Sequence, residues 1–315
     1  MLPDNEATAE NVTAAVQLAL AYRDRWLAAW RARLVHRSSS AAKTIVPVAF
    51  RWRVGVFARD GGSEEYIDPS PIAETACATL AAVVCHQRAA ASNVGGTGAA
   101  FEHFAAAGQL IAWLRQDVLP GFCPWLEQAA HNRRREPHFL ADTWYAAVAA
   151  AIEGQAICKQ ALLDAVRKQP PGQVAVRSFQ GGQQFGRAAA LLPAEPQLHA
   201  AKHRAAAFAY RHLAETLAND YGSEQMGLAV ACATEAVRLF RLANEHGSTA
   251  AAGVAQATKK YEDCLAELDR RNDVEAGCQT VPPLSSVRVV FSTTSETITI
   301  QHDDDSQTTI VLPLK

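Results

Sequence analysis

His199 and His203 lie four residues apart in a segment of helical periodicity. Their imidazoles therefore share one helix face, a spacing at which two histidines can hold a metal ion. No glutamate stands between them in the zinc-protease arrangement and no third ligand suggests itself, so they read as surface or hydrogen-bonded side chains. Gly95-Gly96-Thr97-Gly98 follows a helical stretch and lacks a closing Lys-Ser/Thr, so it is a helix–helix turn and not a phosphate cradle. Gly181-Gly182 reads the same way. Asp303-Asp304-Asp305 could attract calcium but reads as a solvated hairpin turn. Arg133-Arg134-Arg135, the densest positive cluster, could touch lipid headgroups or an acidic partner, with a solvated loop as the simpler reading. No nucleophile–base pair or carboxylate constellation stands out. The expectation is a protein without catalytic residues, cofactor or bound metal.

These side chains sit on a chain of 315 residues, 49% hydrophobic and 20% charged, with a formal net charge of -2. So even a charge balance argues against nucleic-acid binding, which needs a basic excess, and so high an apolar content excludes disorder. Alanine makes up about a fifth of the chain and is absent after Ala276, a bias toward closely packed helices. Seven widely spaced cysteines without a C-x-x-C pair read as free thiols, mostly in the core. The N-terminus has no basic region leading into an apolar block, and the longest apolar run, Trp144 to Ile152, is too short to span a bilayer. The expected compartment is the cytoplasm.

Residues 8–35 read as a helix. Between about 44 and 57 the period changes: Val48, Phe50, Trp52, Val54 and Val56 share one parity, as in a strand or hairpin. A polar loop is expected from Asp60 to Ser70, and Ser70-Pro71 marks a helix start. Helical patterns then cover about 71–92, 98–118, 138–168, 174–191, 196–220, 223–245 and 249–271. Met226, Val230, Ala233, Val237 and Phe240 form one apolar stripe; Ala250, Val254, Ala257, Tyr261, Cys264 and Leu268 form another. Gly222-Ser223 and Gly247-Ser248 each pair a helix stop with a cap for the next start. Long helices joined by such short turns must run antiparallel to their neighbours. The predicted architecture is mainly α, a curved tetratricopeptide-like solenoid of helical hairpins. After Cys278 the runs Val287–Phe291, Thr297–Ile300 and Thr308–Leu312 predict an antiparallel β tail of two or three strands. So small a sheet must pack on the helices or on a partner.

Several short segments resemble the Bro-type domain of Alix, PalA and related endosomal-sorting scaffolds. His199-Ala200-Ala201-Lys202-His203-Arg204 is similar to the family's Ala-Ala-Lys-His-Cys helix start, and Tyr210-Arg211-His212-Leu213-Ala214 follows it. Arg271-Asn272-Asp273 with Val281-Pro282-Pro283-Leu284 resembles the Asn-Asp…Val-Pro-x-Leu segment. Val48-Ala49-Phe50-Arg51-Trp52 resembles the family's Leu-Thr-Phe-Thr-Trp strand, and Ala99 to Gly108 its Ala-Ala-x-x-Tyr-x-x-Ala-Ser-Gly helix. The order holds from about residue 8 to 286. The resemblance implies a Bro-like helical domain over 1–286, with 287–315 as a β tail packed on it. Part of the family's first helix and its first strand lack counterparts, as do the V-shaped coiled coil and proline-rich tail of the full-length scaffolds, which implies a diverged stand-alone form.

In that family an apolar patch on the concave face takes the amphipathic C-terminal helix of an ESCRT-III subunit. The patch uses an aromatic residue and, further on, two aliphatics a helical turn apart. Here Phe185 is the candidate aromatic, and Glu195 and His199 fall on the aliphatic positions. A carboxylate buried unpaired where an apolar anchor belongs costs about 1–3 kcal/mol. Either Leu192 and Leu198 supply the anchors in a shifted register, or the partner has been lost or changed. The expected function is a non-enzymatic adaptor in endosomal sorting or membrane remodelling, cytoplasmic and peripheral at endosomal membranes. The alternative is a diverged interaction module of a cytoskeletal or other complex, binding through the helical surface or the edge of the β tail.

Overall fold

Proline or glycine is the first residue of four of the eight described α-helices. The computed structural model describes residues 9–36, 50–54, 64–68, 71–93, 96–120, 142–221, 225–246, 251–283, 287–292, 297–302 and 307–311. Gly222-Ser223, Gly247-Ser248, Arg133 to Arg135 and Asp303 to Asp305 lie outside the described residues. The helices are α1 (Ala9–His36), α2 (Pro71–Ala91), α3 (Gly96–Trp113), α4 (Asp142–Val166), α5 (Pro171–Leu191), α6 (Pro196–Asp220), α7 (Met226–His246) and α8 (Ala251–Val274). A π-helical turn, Leu114–Val118, extends α3. Pro71, Pro171 and Pro196 each open a helix, where a missing N–H costs nothing. The strands are β1 (Phe50–Val54), β2 (Glu64–Asp68), β3 (Val287–Ser292), β4 (Thr297–His302) and β5 (Gln307–Val311). The chain forms two compact units, Met1–Ile152 and Glu153–Lys315.

In the first unit, α1 lies on α2 through buried Val12, Val16 and Ala89, and the Tyr22 hydroxyl donates to the buried Glu74 carboxylate at 3.1 Å. β1 pairs antiparallel with β2, Trp52 opposite Tyr66 and Arg53 opposite Glu65. The expected polar loop is thus partly a strand. Glu64-Glu65-Tyr66-Ile67-Asp68 carries no run of alternating apolar residues, so periodicity alone does not reveal it. Between α2 and α3 the turn is as expected: Asn93 (φ 54°) and Gly96 (φ 88°) are left-handed, and the Gly96 N–H donates to the Asn93 carbonyl at 2.9 Å.

Across the α2–α3 pair, His86 Nδ1 and His103 Nδ1 stand 2.9 Å apart. At that distance one nitrogen must donate and the other accept, so the pair cannot hold protons on both nitrogens without breaking the bond. Burial, and then His103, hold His86 below its ordinary value of 6.5. The unfolded chain therefore takes up this proton first on acidification. The stability that neutral His86 confers is present above pH about 6.5 and is lost below it. Melting temperature followed by circular dichroism should fall on acidification through that range. In His86→Gln the fall should be shallower; an unchanged slope would show the pair to be uncoupled from folding.

The second unit stacks α5, α6, α7 and α8 in sequence, each beside the next. Its core joins Ala175 and Val176 of α5, Leu213 and Leu217 of α6, Met226, Ala229 and Cys232 of α7, and Leu268 of α8. The α7 stripe is buried through Met226, Val230, Ala233 and Val237. The C-terminal strands form one antiparallel sheet in the order β3-β4-β5, with Val289 opposite Ile300 and Ile298 opposite Ile310. Ile298 and Ile300 of the central strand are fully buried in the same helical core, while Val290 remains exposed. The six described cysteines are free thiols. Burial pushes Cys158 and Cys232 up to about 12, which keeps them protonated and unreactive; Cys278 alone among them is exposed.

Gly181-Gly182 is not a turn. Both glycines are buried inside α5. A Cβ at Gly181 would lie 2.4 Å from the Cys158 sulfur and 3.2 Å from the Gly154 carbonyl oxygen of α4; one at Gly182 would lie 3.4 Å from the Ala205 Cβ of α6. The pair lets the α5 backbone approach both neighbours. Glycine inside a helix costs about 0.5–1 kcal/mol relative to alanine, and the close packing offsets it.

Candidate docking surface

The predicted docking residues belong to the α5–α6 hairpin. α5 ends at Leu191, and Leu192 leaves helical geometry at φ -130°, ψ 71°, its N–H still donating to the Ala188 carbonyl. Pro193 and Ala194 make the turn, and Glu195 sits at the N-cap position of α6 with an extended backbone (φ -91°, ψ 98°). The Glu195 N–H donates to the Leu192 carbonyl at 3.1 Å, and the Glu195 carbonyl accepts from the Leu198 N–H at 3.2 Å. Its side chain makes no capping hydrogen bond, though a carboxylate here is well placed against the positive end of α6.

Of the predicted anchors, Phe185 and Leu198 are buried, at 6% and 2% exposure. Neither is displayed on the surface, where the resemblance places docking anchors. Phe185 lies against α4, where a Cβ at Gly154 would stand only 3.2 Å from its ring. Leu192, Glu195 and His199 are half-buried, and Leu191, which the resemblance did not single out, is 40% exposed. At the hairpin tip the accessible apolar side chains form a ridge, Ala190, Leu191, Pro193 and Ala194, with Leu192 half-buried among them. Exposed apolar residues clustered this way mark contact sites more often than isolated ones do.

Beside the ridge stand three imidazoles. The ring centroids of His199 and His203 on α6 each lie 5.9 Å from that of His246 in the last turn of α7. His199 Nε2 is 3.1 Å from the Pro193 carbonyl oxygen. That oxygen can only accept, so Nε2 is the donor. Burial, then the charges of Lys202, His246, His199 and Arg238, hold His203 below its ordinary value. His246 was not legible beside His199 and His203 because it is far along the chain, and only the antiparallel α6–α7 pairing brings it there.

A groove of about 650 Å³ lies between α7 and α8. Val237, Leu242, Leu265 and Ala266 give it apolar lining, with Arg238, Arg241, Glu245, Glu262 and Asp269 as charged lining. Arg241 reaches Glu262 at 2.7 Å, and Arg238 is held by Glu235 through two 2.6 Å bonds. Among the described residues no helix is long and apolar enough to cross a membrane.

No protein-family model matches the chain, and no curated protein matches it. Solved structures do. An ALIX BRO1–CHMP4C complex superposes with a TM-score of 0.59 at 18% identity, over 91% of this chain and 77% of that one. ALIX in complex with the SIVmac239 PYKEVTEDL late domain superposes with a TM-score of 0.60 at 18% identity, again over 91% of this chain but only 39% of that one. The fold is therefore Bro1-like: mainly α, with small antiparallel sheets.

Proposed function

We propose that the chain is a diverged member of the Bro-type family and acts as a non-enzymatic adaptor that docks an amphipathic peptide helix, the C-terminal helix of an ESCRT-III subunit. In this reading residues 1–286 form the Bro-like domain and 287–315 are an appendage seated on it. The protein works in the cytoplasm, peripherally at endosomal membranes, in endosomal sorting. The observation carrying the proposal is fold similarity to ALIX BRO1 over 91% of the chain, in a structure that contains CHMP4C. The ordered short motifs and the ridge beside the α5–α6 turn support it.

The docking anchors in this proposal are Leu191 and Leu192, with Glu195 and His199 as their polar neighbours; Phe185 and Leu198 hold the hairpin beneath. A helix-in-groove partner would lay its apolar side along the ridge. The test is fluorescence anisotropy with a labelled C-terminal helix of an ESCRT-III subunit. Saturable binding is expected, weakened at least about tenfold, or about 1.4 kcal/mol, by Leu191→Asp with Leu192→Asp. The melting temperature should barely move in Leu191→Asp, whose side chain is exposed, and fall modestly in Leu192→Asp, whose side chain is half-buried. Absence of binding, or binding indifferent to the substitutions, refutes this site.

A further inference from the structure

We propose that the groove between α7 and α8 is a second docking surface, fitted to a partner helix that carries one basic residue at each end of an apolar stripe. Its lining repeats at helical spacing along both walls, from Thr234 to Glu245 on α7 and from Glu262 to Asp269 on α8. The groove is therefore a track about three turns long and not a round pocket, and a track between two helices receives a third. Half-buried Leu242 and Leu265 and exposed Ala266 give it apolar footing.

The charges along the track decide which helix fits. Its two arginines are already neutralised: Arg241 reaches across to Glu262 at 2.7 Å, and Arg238 is held by Glu235. The next cations along α8, Arg270 and Arg271, are paired with Glu267 and Glu275. Glu245 and Asp269, both exposed, remain as groove carboxylates with no cationic partner among the described residues. Their positions set a spacing. Only residues 247–250 join α7 to α8, so the two helices run antiparallel, and the Arg241–Glu262 bridge puts those two residues level. Glu245 then lies about 6 Å from the bridge toward one end, and Asp269 about 10 Å toward the other. The carboxylates stand about 16 Å apart along the groove, the rise of about eleven helical residues. Lysine or arginine at i and i+11 falls on one face of a helix, with apolar residues at i+4 and i+7 between them. Exposed ion pairs are individually weak, so the charges select and orient the partner while the apolar stripe supplies affinity.

The test is fluorescence anisotropy of the full chain with stapled synthetic helices at about 0.1 M salt. The first carries leucine at i+4 and i+7 and lysine at i and i+11; the second replaces both lysines with glutamate; the third moves the second lysine to i+9, on the opposite face. Saturable binding is expected for the first helix, and about tenfold weaker binding for the other two. Glu245→Lys with Asp269→Lys, at two exposed positions, should reverse the preference, so that the glutamate helix binds the better. Leu191→Asp should leave binding of the lysine helix unchanged. No saturable binding, a preference that survives the double charge reversal, or loss of binding in Leu191→Asp overturns the groove as this site. None of these outcomes decides docking of the ESCRT-III helix at Leu191 and Leu192, which is read with a different peptide.

Discussion

Phe185→Ala should lower the stability of the second unit by about 3–5 kcal/mol, the range for emptying an aromatic site in a packed core. The ring is almost wholly shielded and rests on the α4 backbone at Gly154, where the missing Cβ leaves it room. Neighbouring alanines have too little side chain to refill the space, so the cavity stays open. Urea denaturation followed by far-UV circular dichroism should show a lower midpoint, and Phe185→Asp a still lower one, because a carboxylate there would be buried without a partner. A loss under about 1 kcal/mol would mean that the ring is displayed after all. This outcome bears directly on function. A binding defect in any Phe185 variant would report unfolding, whereas one at Leu191 or Leu192 would report docking.

Why the helices were legible while the docking residues were not follows from what each kind of residue says locally. Met226, Val230, Ala233 and Val237 announce a buried stripe by spacing alone, and Pro71 and Pro196 announce starts because proline tolerates the first helical turn and little else. Gly181-Gly182 carries the local signal of a turn; only the approach of Cys158 and Ala205 from two other helices explains glycine there. Phe185 and Leu198 are apolar, and apolar character does not say inward or outward. In a chain so rich in alanine the few large side chains are needed to fill the interior, and these two do so. Glu64 to Asp68 forms a strand through pairing with β1 that its own composition does not advertise. The imidazole cluster needs His246, which no window around His199 contains.

Gly227→Ala should cost the second unit about 2–3 kcal/mol, although alanine is the better helix former by about 0.5–1 kcal/mol. In the first turn of α7, a Cβ at Gly227 would stand 2.4 Å from the Thr280 carbonyl oxygen and 3.2 Å from its carbon. Those are main-chain atoms with no flexible end to swing aside. The segment carrying them is also latched. Gly277 and Cys278 turn the chain back after α8 with φ of 67° and 59°. The Cys278 N–H donates to the Asn272 carbonyl at 2.9 Å, Asn272 Nδ2 donates to the Gln279 carbonyl at 3.0 Å, and the Gly227 N–H donates to Gln279 Oε1 at 3.2 Å. Asn272, 3% exposed, is therefore the clasp, which gives the Arg271-Asn272-Asp273…Val281-Pro282 motif a physical role: it returns the chain across the start of α7 before the β tail begins. Asn272→Ala alone should cost about 1 kcal/mol by removing the hydrogen bond to the half-buried Gln279 carbonyl. Once the clasp is gone the segment can retreat, so Gly227→Ala should cost less in that background than in the native chain, a coupling that a double-mutant cycle in urea measures directly. Strict additivity, or a neutral Gly227→Ala, would mean that Thr280 is not seated on α7 in solution.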